Sequence, residues 1–506
     1  MGATKPNNIT ERYTCILFLL ILAAGLYMRF HQYFMGRSLW EDEAHLAISF
    51  VRWGHLGLMS PLQNFQTAPI LFLWSVETIT DIFGFGEKAL RAFPFIVSIA
   101  SLPFFYYFVK SLTNDRLSAL IAFLIVALNP TFIYYSAELK PYTIDVSAYM
   151  ITGYLLFSEN WRVRKHRTAL LAIFGSFFIL TTNTGVVTLF CAGVYRFSKW
   201  RFREIQLNKQ FFKSLPKDDL IIFITWGLVY SANFFKFILR HPYGAGMRIL
   251  WRDKFCPPDI FSSDFTQFIR SRIDDTLFTD MFCFTDQYYF GYVITGLLLL
   301  AVMAVLYRKQ YQILFFTIVP ILIHLIASMF KLYPFFYRFI LYLLPAFTIL
   351  LAIGVSTIVQ LIKKRWYYIA ASPVVVFFCY CCLVNALPKF PIWDREIKPT
   401  LDFINKYHPT EKIIITTPWT LYEYYDSVGY AKNNKDFEMI HWGLSSEEYY
   451  NHPLIKPIKQ NYLLLYSANG FADGYDRVIK DLEANHSILD RFEYKTYAVV
   501  EIMPKQ

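Results

Sequence analysis

The sequence predicts an all-α polytopic membrane protein with about eleven spanning helices, interfacial helices in its first external loop and a small soluble α/β domain at its C-terminal end. Three observations predict it. Of 506 residues, 55% are hydrophobic and only 17% charged, which is more apolar surface than one soluble core can hide. Apolar stretches long enough to cross hydrocarbon recur down to residue 387, with short basic clusters between them. After about residue 388 they give way to brief strand-like and helix-like segments.

The first apolar run, Cys15 to Phe30, follows Lys5 and Arg12 and has the outline of a signal peptide. Similar helices follow it, so it is read as an uncleaved first span. Further spans are predicted over 89–109, 117–135, 141–158, 220–235, 288–307, 313–330, 335–362 and 366–387. The stretch 168–198 is interrupted by Thr181-Thr182-Asn183-Thr184-Gly185. As one helix it would put basic segments 162–167 and 199–217 on opposite membrane faces. Two short spans keep both on the cytoplasmic face.

The segment 69–84 is short for a span and contains Glu77 and Asp81. If it does not cross, every basic cluster from Lys110 to Arg365 shares the cytoplasmic side with the N-terminus. It is therefore read as an interfacial helix within a first external loop over 34–88, in a transmembrane domain of 1–388. Parity then places 237–287, 331–334 and the domain 389–506 outside a plasma membrane. In that last domain, helices are predicted over 395–408 and 473–485, and strands over 412–417, 462–466 and 491–503. It contains no phosphate-binding glycine loop and no nucleophile motif.

The net charge of +11 is spread in clusters that anchor helix ends, and aromatics at 19% suit the hydrocarbon–water boundary. A membrane surface, not nucleic acid, is the partner this implies. The seven cysteines lack metal-ligand spacing. Cys379, Cys381 and Cys382 read as packing residues, whereas Cys256 and Cys283 fall in one external loop and are either bridged or two buried thiols.

Three charged sets fall on the predicted outer face. Glu41-Asp42-Glu43 follows the first span, with His45 three residues beyond Asp42 on the same helical face, where a carboxylate can hold an imidazole. Acids in a first helical turn also cap it and complement its dipole. In Glu138-Leu139-Lys140-Pro141-Tyr142, Pro141 turns the backbone at Lys140 and can present Glu138 and Lys140 to a cavity; the alternative is charges that cap two helices. In Tyr333-Pro334-Phe335-Phe336-Tyr337-Arg338, Arg338 is placed a turn into a long apolar helix. There an arginine pairs with an anion such as phosphate, or else snorkels to the interface. Tyr142 and Tyr337 stand beside these charges as candidate substrate contacts. Together the sets could supply a carboxylate base and cations for a phosphate leaving group.

Ser38-Leu39-Trp40-Glu41-Asp42-Glu43-Ala44-His45, Gln66-Thr67-Ala68-Pro69 and Phe83-Gly84-Phe85-Gly86-Glu87-Lys88-Ala89-Leu90-Arg91 resemble, in that order, the N-terminal half of the GT-C glycosyltransferases. These include protein O-mannosyltransferases, lipid A aminoarabinose transferases and many bacterial relatives. Tyr135 to Tyr142, and Tyr337-Arg338 with Pro345, are similar to further landmarks, so the resemblance covers about residues 1–360. It implies transfer of a sugar from a polyprenyl-phosphate carrier to an acceptor hydroxyl of a glycan, lipid or protein on the outer face, usually with inversion. Asp42 matches the family's essential loop acid, Glu43 its neighbour, and Arg338 a phosphate ligand. The chain departs from the aminoarabinose transferases at Thr67-Ala68, where they carry Glu-Lys, and at His45, where they carry arginine. A transporter or flippase of lipid-linked sugars is the alternative, but neither inverted repeats nor a midplane site between broken helices is visible. Whether a divalent cation takes part is left open, because the two acidic sites could hold one or act as base and positioning group.

Overall fold

The structure, a computed structural model, describes residues 8–200, 216–239, 248–273, 288–362, 367–386, 396–415, 418–431, 437–439, 460–467, 480, 484 and 486–504. Each apolar stretch predicted to span is helical. The chain opens with α1 (Asn8–Phe34), α2 (Glu41–Arg52) and α3 (Ile70–Phe83). Helix α3 stops where Gly84 takes a left-handed φ of 79°. Then follow α4 (Glu87–Thr113), α5 (Arg116–Leu128), α6 (Pro130–Ser136) and α7 (Tyr142–Phe157). The interrupted stretch forms two helices as expected, α8 (Trp161–Thr181) and α9 (Gly185–Ser198). Next come α10 (Lys217–Asn233), α11 (Ser263–Ser271), α12 (Tyr288–Tyr307), α13 (Tyr311–Met329), α14 (Leu344–Gln360) and α15 (Tyr367–Ala386). The last two are α16 (Lys398–Tyr407) and α17 (Trp419–Ser427).

Among the described residues, five helices are long and apolar enough to cross a membrane: Arg12–Phe34, Glu87–Thr113, Lys217–Ile238, Tyr311–Met329 and Tyr337–Gln360. The bent pair α5 and α6 makes a sixth. At 16 and 14 residues, α7 and α9 fall below that length.

The chain forms two compact units. One comprises Met1–Phe34, Thr67–Val76 and Arg91–Pro391, the other Met35–Gln66, Glu77–Leu90 and Ile392–Gln506. In the first, α5 is central: Leu117 to Leu128 are all buried. Its first turn is capped by Asp115, whose carboxylate accepts the Leu117 and Ser118 N–H groups. The window 117–135, predicted as one span, is instead broken and bent by 55° at Asn129-Pro130. Proline cannot donate to the ladder, and the Asn129 side chain accepts the Thr131 and Phe132 N–H groups, capping a new helix. The carbonyls released by the break are met by Arg29 of α1, itself buried. Its guanidinium donates to Ala127 O at 2.5 Å and Val126 O at 2.9 Å. A cation at a helix C-terminus thus satisfies backbone groups that hydrocarbon would leave unbonded.

The reverse arrangement starts α9. Asp145 of α7 is buried, and its Oδ1 accepts the Thr184 N–H at 2.9 Å and the Gly185 N–H at 3.3 Å. An acid at a helix N-terminus holds the break between the two short helices. Cys256 is buried, its N–H donating to Ser328 Oγ at 2.8 Å, while Cys283 lies outside the described residues.

The second unit has a five-stranded mixed sheet in the order β2-β1-β3-β5-β4, with β1 (Lys412–Ile415), β2 (Phe437–Met439), β3 (Tyr462–Ser467), β4 (His486–Tyr494) and β5 (Tyr497–Pro504). β1 pairs in parallel with β2 and β3, and α17 lies in the crossover from β1 to β2 that a parallel pair needs. Its core is Ile413 to Ile415, Tyr462 to Tyr466 and Val499, Val500 and Ile502, all buried. The single strand predicted over 491–503 is a hairpin. It turns at Lys495-Thr496 with Lys495 left-handed, φ 54°, a position where glycine or asparagine is usual. The strand Phe437–Met439 and the helix α17 were not predicted, and most of the helix expected over 473–485 lies outside the described residues.

Candidate active site

In the second unit, the charged cluster sits on the first turn of α2. Glu43, fully buried, reaches back along the turn: its Oε2 accepts the Trp40 N–H at 3.4 Å and lies 3.2 Å from the Arg37 guanidinium, also buried. The capping reading therefore applies to Glu43. A carboxylate desolvated to this degree is retained by its partner, and loss of either leaves a buried charge. Asp42, one residue earlier, points differently. It is half-buried, and Gln66 Nε2 donates to its Oδ1 at 3.3 Å. Glu41 Oε1 accepts from the Tyr497 hydroxyl at 2.9 Å. His45 lies one turn beyond Asp42, but the hydrogen bond at its Nδ1 is to Thr420 Oγ1 at 3.1 Å, with the ring against Trp419.

The turn before α2 is fixed by residues the sequence reading did not single out. Ser38 donates through its N–H and hydroxyl to the Glu396 carboxylate, at 2.9 and 2.7 Å. The Leu39 N–H donates to Tyr425 Oη at 3.0 Å, and that hydroxyl in turn donates to Glu87 Oε1 at 2.9 Å, where Lys398 closes the chain as an ion pair. Burial and the Glu87 charge hold the Tyr425 phenol protonated well above its ordinary range, as a donor to Glu87 requires. Glu87 belongs to the Phe83 to Arg91 motif. Glu396, Lys398 and Tyr425 carry no local signal, because their partners are more than 300 residues away along the chain.

In the first unit, Glu138, Lys140 and Tyr142 share the turn between α6 and α7. The backbone leaves α6 and turns, with the Lys140 N–H donating to Glu138 O at 2.8 Å, and Pro141 opens α7. All three side chains are buried. Arg338 joins them: its guanidinium lies over Tyr142 at 5.9 Å, Trp251 at 5.5 Å and Phe339 at 5.6 Å. The Tyr135 ring meets both Tyr142 and Tyr337 edge-on, at 5.8 and 6.0 Å. Tyr337 itself is held at a φ of 31°, a strained backbone for a tyrosine.

Arg338 does not sit in an α-helix, as the sequence suggested. Tyr337–Leu343 is a 3-10 stretch and α14 starts only at Leu344. Pro345 explains this, since it has no N–H and its ring excludes the carbonyl of Leu341 from an α-helical position. The segment leading to Arg338 is pinned by His324, buried, which contacts Pro334 O through Nε2 at 2.9 Å and Tyr342 Oη through Nδ1 at 3.0 Å. The proton therefore sits on Nε2, the only nitrogen that can serve a carbonyl, and Nδ1 accepts from the tyrosine.

The architecture has counterparts among solved structures. The crystal structure of ArnT from Cupriavidus metallidurans bound to undecaprenyl phosphate superposes with a TM-score of 0.55 at 10% identity, covering 96% of this chain and 97% of that one. Its apo state gives 0.54 at 10% identity, over 97% and 98% of the two chains. This chain has the GT-C fold. A second GT-C structure, archaeal oligosaccharyltransferase AglB from Archaeoglobus fulgidus in complex with an inhibitory peptide and a dolichol-phosphate, gives 0.50 at 10% identity, covering 99% of this chain and 75% of that one. A family model, dolichyl-phosphate-mannose-protein mannosyltransferase, matches residues 67–212, the part of this chain that contains Glu138, Lys140 and Tyr142. No curated protein matches the sequence.

Proposed function

We propose that this chain is a membrane glycosyltransferase that moves a sugar from a polyprenyl-phosphate donor to an acceptor hydroxyl on the extracytoplasmic face. The observation that carries the proposal is the GT-C fold over nearly the whole chain, with a structural relative that binds undecaprenyl phosphate. In the reaction, the acceptor oxygen attacks the anomeric carbon, the bond from that carbon to the phosphate oxygen breaks, and polyprenyl phosphate leaves with the electron pair.

Asp42 is assigned as the base that takes the hydroxyl proton. Its half-buried carboxylate is oriented by Gln66, whereas Glu43 beside it is committed to Arg37 and the helix cap. Glu43 is thus a positioning residue, and His45 a substrate contact. Arg338 is assigned to the donor phosphate. Half-buried and lying over aromatic rings, its planar fork can bind two phosphate oxygens at once. Glu138, Lys140, Tyr142 and Tyr337 line the same region and are assigned to substrate binding.

The test is to incubate the purified protein with a panel of polyprenyl-phosphate sugars and acceptor glycans, lipids and peptides, and to follow free carrier by mass spectrometry. Carrier release that depends on both substrates is the expected result. Movement of intact donor across a proteoliposome bilayer without carrier release would replace the proposal with a flippase.

A further inference from the structure

His55 lies just beyond α2, and Glu77 and Asp81 are four residues apart on one face of α3, all within the second unit. One ligand atom from each, a ring nitrogen and two carboxylate oxygens, can be chosen so that all three are within 4.8 Å of one another. Asp81 Oδ2 is 3.7 Å from His55 Nδ1. On its other side, His55 Nε2 is 3.0 Å from Thr78 Oγ1. An imidazole nitrogen and a carboxylate oxygen this close together are donors of the kind a divalent cation takes.

Glu77 adds an independent observation. It is 3% exposed, and among the described residues its Oε2 receives no hydrogen bond. Burying a carboxylate in this way is costly unless something positive meets it.

We propose that His55, Glu77 and Asp81 form a divalent-cation site that ties the loop after α2 to α3, and that it takes a borderline ion of the zinc type. An imidazole with two carboxylates suits Zn²⁺ better than Mg²⁺ or Ca²⁺, which take all-oxygen shells. Tetrahedral zinc needs donors about 3.3 Å apart. The exposed His55 and Asp81 side chains can close to that spacing around the fixed Glu77. Three protein ligands leave a fourth position for water.

The site is distinct from the assigned base Asp42 and does not depend on the proposed reaction. The full-length protein, purified in detergent and stripped with chelator, is titrated with Zn²⁺ against a chromophoric competitor, and its thermal midpoint is read with and without the ion. Wild type is expected to bind zinc and to melt higher with it. His55→Ala and Asp81→Asn, both at exposed positions, should each lose one equivalent or weaken it by more than about tenfold, the scale at which even outer-shell partners act, and should lose the zinc-dependent rise in midpoint. Glu77→Gln should lose the same equivalent while its zinc-free midpoint rises, because a buried charge is removed. Absence of zinc binding by wild type, or unchanged binding in His55→Ala and Asp81→Asn, overturns the site.

Discussion

Asp42 and Glu43 are adjacent on one helical turn, yet their surroundings separate them. Glu43 is fully buried against Arg37, and Asp42 is half-buried and touched by Gln66. Asp42→Asn keeps the size and the hydrogen bond from Gln66 but cannot take a proton. It is expected to lower transfer by about 100-fold or more with the thermal midpoint and donor binding unchanged; initial rates and melting curves measured in parallel check this. The Arg37 and Glu43 pair should behave the other way. Glu43→Ala leaves the guanidinium buried without its carboxylate and should cost about 3 kcal/mol of stability, read as a lowered midpoint. An Arg37→Met, Glu43→Met double variant should recover part of that loss. Equal midpoints for Glu43→Ala and wild type would mean that the pair does not hold the turn. The sequence placed both acids at the start of α2 and the family resemblance set Asp42 apart from Glu43, but the burial of Glu43 against Arg37 depends on the tertiary fold and was not legible.

At the scale of elements, apolar periodicity and basic clusters were enough to place every predicted helix of the first unit. The breaks were less legible, and for a reason that can be stated. Asn129-Pro130 is itself a turn signal, but it lies in a run so apolar that a continuous span is the simpler reading. What makes the break tolerable is Arg29, about a hundred residues earlier, and no local pattern links the two. Arg29→Leu should therefore release the Val126 and Ala127 carbonyls into an apolar core and lower the thermal midpoint sharply. Arg29→Lys, with fewer donors, should restore only part of it. Unfolding in detergent followed by fluorescence checks the order wild type, lysine, leucine. The β4–β5 hairpin escaped for the opposite reason: Tyr494-Lys495-Thr496-Tyr497 offers no glycine, asparagine or proline, so the left-handed turn has no sequence marker.

For the whole molecule, the sequence separated a helical part from a C-terminal α/β part. The contacts group 35–66 and 77–90 with 392–506, so the loop bearing Asp42 is held by Glu396, Lys398 and Tyr425 from the far end of the chain. Such pairings depend on tertiary folding and leave no periodic trace. Orientation in the membrane is a separate prediction from charge. Reporter tags after Thr113, Arg164, Lys209 and Arg365 should read cytoplasmic, and a tag after Gln506 should read external; an internal C-terminus would reverse the face assigned to the reaction. The central claim is that the chain breaks the bond between the anomeric carbon and the carrier phosphate. It is tested most directly by supplying donor labelled with ¹⁸O at the bridging oxygen and locating the label after turnover by mass spectrometry. Sugar transfer predicts that all of it remains in the released polyprenyl phosphate. Label in the glycosylated product, or no carrier release with any donor, would contradict the account.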